Sequence, residues 1–285
     1  MAKDLDSLKQ YLVYARERKY ALGGFCFWNY AYGMSIAKVA QELKLPMLYI
    51  IGDAEVEFFG GLKNAVQAAR TVAENVDVPV ILHADHFREY DQIARAIDAG
   101  FKSVMIDASA YALEENIERT ARVVELAHSA GVSVEGELGR IAGCEQTLSL
   151  SEEEALQTDP TEAAYFVKST GVDILAVSIG TVHGEYRFPP RINIPRLQNI
   201  CKEVSVPLVM HGGSGTPEDK VAEAVEYGIT KLNLATDLVK TAGLATARVQ
   251  TPGFRYSVAN LYAPAYEDLA KYAEHKMRLL AKNIL

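Results

Sequence analysis

Eight short apolar runs, separated by stretches of helical periodicity, narrow the fold more than any other feature of this chain. They are Leu22–Phe27, Met47–Ile51, Pro79–His83, Ser103–Ile106, Ser133–Glu137, Ile174–Ser178, Leu208–His211 and Lys231–Leu234. Some are unbroken, such as Pro-Met-Leu-Tyr-Ile-Ile at 46–51 and Val-Pro-Val-Ile-Leu at 78–82, as strands buried on both faces require. Strands alternating with helices predict parallel βα units. Eight such units close a (β/α)8 barrel of the TIM type, which 285 residues accommodate with nothing left over.

The intervening segments support this. The spacing of Ile93, Ala94 and Ile97 predicts a helix over Tyr90–Ala99, stopped by Gly100 as C-cap. Leu113–Ala130 places Ile117, Val124 and Ala127 on one face and stops at Gly131. A further helix opens with Thr216 as N-cap and Pro217 at the first helical position. No linker, low-complexity stretch or charge block interrupts the series, so a single domain is expected over residues 1–285. Gly139–Asp159 reads as a long βα loop, and loops of that length in compact domains are often functional.

The formal net charge of -8 argues against a nucleic-acid partner or an anionic membrane surface. It does not argue against a small anionic ligand, because a few local donors outweigh the global field. Met1–Gln10 is charged and lacks the apolar core of a signal peptide, and no apolar run reaches the ~18 residues of a membrane span. Cys26, Cys144 and Cys201 are scattered without metal-ligand spacing, so free thiols in a reducing cytoplasm are expected.

In barrels of this type the active site sits at the carboxyl ends of the strands. The third run leads into His83-Ala84-Asp85-His86, the fourth into Asp107, and the fifth carries Glu135 and Glu137. His183 follows the sixth and His211 ends the seventh. His128 and His275 lie in helical patterns and are expected at the surface, while His83, inside its strand, reads as a supporting residue. His86, His183 and His211 remain, and three imidazoles with an open fourth position describe a catalytic zinc site. Two of them have glycine neighbours, in Gly180-Thr-Val-His-Gly184 and His211-Gly-Gly-Ser-Gly215. Successive glycine N–H groups ahead of a helix form an anion nest suited to phosphate, although Gly-Gly-Ser-Gly alone also fits a plain turn. The eighth run adds Asn233 and Thr236 at the same rim.

Six motifs occur in order: His83-Ala-Asp-His86, Val104-Met-Ile-Asp107, Val134-Glu-Gly-Glu-Leu-Gly139, Gly180-Thr-Val-His-Gly184, His211-Gly-Gly-Ser-Gly215 and Lys231-Leu-Asn-Leu-Ala-Thr-Asp237. Together they resemble the class II fructose-bisphosphate and tagatose-bisphosphate aldolase family. The resemblance implies a zinc-dependent lyase cleaving a phosphorylated ketose, a 1,6-bisphosphate or a 1-phosphate, to dihydroxyacetone phosphate and an aldehyde. It implies His86, His183 and His211 as zinc ligands, and Asp85 as the residue moving the C4 hydroxyl proton. Glu145 is implied to handle the proton at C3. Asp107 and Glu137 match positions that hold a second divalent or monovalent cation in some members. Gly184, Gly212, Gly213, Ser214, Asn233, Ala235 and Thr236 match substrate- and phosphate-binding positions, and a homodimer or homotetramer is implied.

Departures from the family pattern concern the substrate envelope. Cys26 stands in Phe25-Cys-Phe-Trp-Asn29 where many members have Asn, and Gly52, followed by Asp53, where relatives have Ser or Thr. Phe87 follows His86 and Ala108 follows Asp107, and a distal Pro-Arg segment is replaced at best by Arg255. The aromatic patch Phe25, Phe27, Trp28 and Phe87 is a candidate for contact with the rest of the substrate, with core packing the alternative. Other readings stay open: an unphosphorylated or otherwise substituted ketose, a zinc barrel hydrolase, or a non-catalytic sugar-phosphate-binding subunit.

Overall fold

The computed structural model describes residues 4–139, 142–143, 156–183, 190–249, 254–255 and 257–285; the side chains of 142–143 and 182–183 lie outside that description. Eight parallel strands form a closed barrel: β1 Leu22–Cys26, β2 Met47–Ile51, β3 Val80–Phe87, β4 Ser103–Ile106, β5 Ser133–Leu138, β6 Ile174–Val177, β7 Leu208–Met210 and β8 Ile229–Leu234. Each pairs with the next in sequence, and β8 returns to β1 through Leu22↔Lys231 to Phe25↔Leu234. The (β/α)8 architecture read from the apolar runs is the architecture observed.

The helices follow the local rules. Tyr90–Ala99 ends where Gly100 takes φ 109°, a left-handed value that glycine adopts without a Cβ clash. Leu113–Ser129 ends one residue short of the expected boundary, with Gly131 at φ 69°. The helix after β7 differs. It spans Glu218–Glu226 with Pro217 at the N-cap, and the Thr216 hydroxyl donates to the Gly212 carbonyl at 3.0 Å instead of capping it.

A helix ahead of the barrel, Lys9–Arg18, covers the amino ends of the strands. Leu8, Leu12 and Ala15 are buried, and the Arg16 guanidinium donates to the carbonyls of Val206, Val204 and Cys201 just ahead of β7. Lys9 pairs with Asp173, immediately before β6, at 2.7 Å. Outside the barrel, Ala142–Gly143 pairs in parallel with Val182–His183, tying the segment after β5 to the segment after β6.

Candidate active site at the carboxyl end of the barrel

β3 runs four residues beyond the sequence expectation, through His83-Ala-Asp-His86 to Phe87. It does so by bulging: Ala84 pairs with Val104 and Phe87 with Ile106, so Asp85 and His86 together oppose Met105 alone. His86 takes φ 54°, which puts one non-glycine residue in the left-handed region. In a regular strand, neighbouring residues point to opposite faces. The bulge overrides that alternation and lets both Asp85 and His86 face the mouth.

His86 Nδ1 lies 2.9 Å from Asp107 Oδ2, and Asp107 is held in turn by the Ser109 hydroxyl at 2.7 Å. His211 Nε2 lies 2.9 Å from Glu135 Oε1. A carboxylate only accepts, so each contact fixes the ring proton on that outer nitrogen. The inner nitrogens, His86 Nε2 and His211 Nδ1, then turn their lone pairs on each other at 2.8 Å. Two lone pairs at that distance require a proton or a metal cation between them.

Glu137 sits alongside; its Oε2, 3.9 Å from His86 Nδ1 and 3.7 Å from His211 Nδ1, is buried and has no hydrogen-bond partner among the described residues. Burial pushes its pKa up to about 8. Burial also disfavours a charged His86, but Asp85, the Asp107 hydrogen bond and Glu137 outweigh it and raise His86 to about 9. Asp107 is partly buried, which opposes its charge, yet its bonds from His86 and Ser109 hold it well below the usual carboxylate range. The cluster favours positive charge at His86.

Donor atoms of Asp85, His86 and His211, and of His86, Asp107 and Glu137, lie close enough to share an ion. His83, Asp85 and Glu135 converge as well, but that group already holds a cation: Lys231, fully buried, places Nζ 2.7 Å from Glu135 Oε2. His83 bonds Ser103 at 2.7 Å, and burial followed by the Lys231 charge drives its pKa well below the ordinary value. That shift keeps His83 neutral.

Asp85 faces the same space. Asn233, on β8, donates its amide to both Asp85 oxygens at 2.9 and 3.0 Å, an engagement the sequence did not suggest. Next to it lies the glycine loop after β7. Gly212 has φ 69°, and a Cβ on Gly213 would fall 2.6 Å from Leu232 Cγ and 2.8 Å from the Asn233 carbonyl. Only glycine lets this loop lie so close to β8. Ser214 accepts from the Asp237 N–H at 3.2 Å, and Thr236 begins the helix Thr236–Val249 directly after Ala235. Loop and helix start are tied together, the Gly215 N–H donating to the Asp237 carboxylate at 3.2 Å.

These features match known proteins along the whole chain. A family model described as "Fructose-bisphosphate aldolase class-II" matches residues 6–283. The "Probable fructose-bisphosphate aldolase" of Bacillus subtilis (strain 168) is 36% identical over 277 residues, covering 96% of both chains. The "Fructose-bisphosphate aldolase" of Geobacillus stearothermophilus is 39% identical over 235 residues, covering 82% of this chain and 81% of its own. Among solved structures, the YdjI aldolase from Escherichia coli K12 superposes with a TM-score of 0.83 at 30% identity, covering 98% of both chains. This chain belongs to the class II fructose-bisphosphate aldolase family. It is a carbon–carbon lyase acting on a phosphorylated ketose.

The aldolase brings together His86, His211, Asp107, Glu137, Asp85 and Asn233 as described. Glu145 and Gly184 lie outside the described residues, and of His183 only the backbone is described, in the ladder with Gly143. Phe25, Phe27 and Phe87 are fully buried core residues rather than a surface for substrate. Phe27 stacks on Tyr49 with ring centroids 4.3 Å apart, whereas Trp28 is partly exposed. Arg255 is exposed, its carbonyl accepting from Asn260 at 2.8 Å. Sequence reasoning missed Lys231 and the role of Glu135. The available signal was strand period: His83 and Asp85, Glu135 and Glu137, and Lys231 and Asn233 are each two residues apart and share one face.

Proposed function

We propose that this aldolase is zinc-dependent and reversibly cleaves a ketose phosphate to dihydroxyacetone phosphate and an aldehyde. The observation that carries the metal reading is the 2.8 Å contact between His86 Nε2 and His211 Nδ1, with both outer nitrogens tied to carboxylates. Two oriented imidazoles plus the orphaned Glu137 oxygen fit a divalent cation, and a nitrogen-rich set with a third histidine, His183, favours zinc. When bound, that ion polarises the ketose carbonyl as a Lewis acid.

The chain's own residues supply the proton steps. Asp85, oriented by Asn233, takes the C4 hydroxyl proton as the C3–C4 bond breaks and the bonding pair passes to C3 and the carbonyl oxygen. Glu145, in the segment that follows β5 in sequence, returns a proton to C3 and releases dihydroxyacetone phosphate. Gly184, Gly212, Gly213, Ser214, Ala235 and Thr236 hold the phosphate through N–H and hydroxyl donors. Asp107 and Glu137, which with His86 bring donor atoms close together, are the candidates to hold a second cation. Fructose or tagatose 1,6-bisphosphate and ketose 1-phosphates are the substrates to test.

The test is chelation followed by reconstitution. Exhaustive treatment with a zinc chelator should abolish cleavage, and one equivalent of zinc per chain should restore it. Full cleavage by protein that retains no metal on elemental analysis overturns the metal assignment.

A further inference from the structure

A second polar group lines the carboxyl ends of β1 and β2. Glu55 is buried (9% exposed), and its oxygens accept from the Gly52 N–H at 2.9 Å and from the Cys26 thiol at 2.9 Å. Burial, followed by the Glu55 charge, pushes the Cys26 pKa up, so Cys26 remains a neutral S–H donor. The Tyr32 hydroxyl is buried beside this pair and has no hydrogen-bond partner among the described residues, while the Trp28 indole N–H is taken up by the Cys26 sulfur; Tyr32 itself is only 5% exposed. The Tyr32 hydroxyl lies within the electrostatic reach of both Cys26 and Glu55. The group adjoins the reacting end of the barrel, since a Cβ on Gly52 would lie 3.5 Å from the Asp85 carbonyl.

A buried donor without an acceptor among the described residues, next to a carboxylate with lone pairs to spare, forms an incomplete array. A phosphate would complete the donor but meet the Glu55 and Asp85 charges, and among the described residues no Lys, Arg or His forms an ion pair with Glu55 to offset that repulsion. An ammonium would complete Glu55 but has no lone pair for Tyr32. A hydroxyl both donates and accepts, and it completes both.

We infer that Glu55 and Tyr32 form a subsite for a free hydroxyl group of the aldehyde half of the substrate, so that the sugar carries no second phosphate at that end. This rests on the aldolase reading above, which places the aldehyde half beside Asp85.

The experiment runs the reaction toward synthesis, with dihydroxyacetone phosphate as donor and either glyceraldehyde or glyceraldehyde 3-phosphate as acceptor. It uses the zinc-loaded wild type, Glu55→Gln and Tyr32→Phe, each checked for folding by thermal unfolding. Exchange of the C3 proton of dihydroxyacetone phosphate by wild-type protein needs no acceptor and tests the aldolase reading alone. The expected result is wild-type exchange together with a preference for glyceraldehyde of about tenfold or more in kcat/KM. Each variant should erode that preference about tenfold, mainly through KM for glyceraldehyde. Exchange with glyceraldehyde 3-phosphate preferred, or a preference unmoved in both folded variants, overturns the subsite and leaves the aldolase reading standing. No exchange at all overturns the aldolase reading.

Discussion

His86 Nε2 and His211 Nδ1 face each other at 2.8 Å while Asp107 and Glu135 hold the outer nitrogens of the two rings. The two carboxylates therefore decide which nitrogens are available to a metal. Asp107→Asn tests this directly. An asparagine amide donates to Nδ1 instead of accepting from it, which favours the tautomer with its proton on Nε2, the nitrogen that faces His211. Zinc affinity should fall about 10–100-fold while the barrel stays folded. Competition with a chromophoric chelator measures the affinity, and an unchanged value refutes the orienting role.

The metal-free protein should lose stability as pH rises. His86 is raised to about 9 from 6.5, and Glu137 to about 8 from 4.5. A raised folded-state pKa contributes stability that is complete below the unfolded value and vanishes as pH climbs through the folded one. Both groups therefore act in the same direction between about pH 5 and 9. Asp107, held low, stays ionised across this window and contributes a constant amount. Tm of chelated protein should drop by roughly 3–8 °C over that range. Zinc, which competes with protons for the histidines, should stabilise more at pH 8.5 than at pH 5.5. A flat or rising Tm in calorimetry contradicts the charge arrangement described.

Lys231 and Glu135 form a fully buried pair at 2.7 Å. Lys231→Met leaves the Glu135 charge with the histidines His211 and His83 as its neighbours and should destabilise the barrel by about 3–5 kcal/mol in urea unfolding. Adding Glu135→Gln to that variant removes the stranded charge and should recover part of the loss. A double variant no more stable than the single one means the cost is packing and not charge.

The two proposed acid–base carboxylates should separate kinetically. Glu145→Ala should slow exchange of the C3 proton of dihydroxyacetone phosphate by about 10²–10⁴-fold with zinc retained. Asp85→Ala should impair carbon–carbon cleavage more than it impairs exchange. Asn233→Ala, which removes both donors to Asp85, should follow the Asp85 pattern more weakly. Equal effects of Glu145→Ala and Asp85→Ala on both assays mean that the roles are misassigned.

The barrel was legible because its signals are local. Unbroken apolar runs mark each strand, and Gly100 ends its helix through its own φ. Histidines and carboxylates at run ends pointed to the site for the same reason. The bulge at Asp85–His86 was not legible, because it exists only through pairing with β4. Nor was the Lys231–Glu135 pair, since residues 96 apart in sequence meet only when the barrel closes. Thr216 carries a capping sequence, but its hydroxyl is drawn to the Gly212 carbonyl by the loop the glycines make.

Gly52 is where sequence and structure give different expectations for one substitution. From sequence, Gly52→Ser restores a hydroxyl that relatives use on phosphate, and it should tighten dihydroxyacetone phosphate. In the structure the residue has φ -107° and ψ -163°, open to any side chain, and a Cβ there meets only ordinary contacts at 3.5 Å. Those contacts are both acceptors, the Asp85 carbonyl and Glu55 Oε2. A serine hydroxyl placed between them donates to one of them and has no proton left for phosphate. Gly52→Ser should therefore fold normally and leave the affinity for dihydroxyacetone phosphate within about threefold, since no charged hydrogen bond to the ligand is gained. Its effect should fall on the aldehyde half instead. A hydroxyl bonded to Glu55 occupies a lone pair that the substrate would use, raising KM for glyceraldehyde. Isothermal titration with dihydroxyacetone phosphate, alongside the synthesis assay, measures both. Tightening of dihydroxyacetone phosphate by tenfold or more would place the phosphate at this rim and sink the geometry argued here.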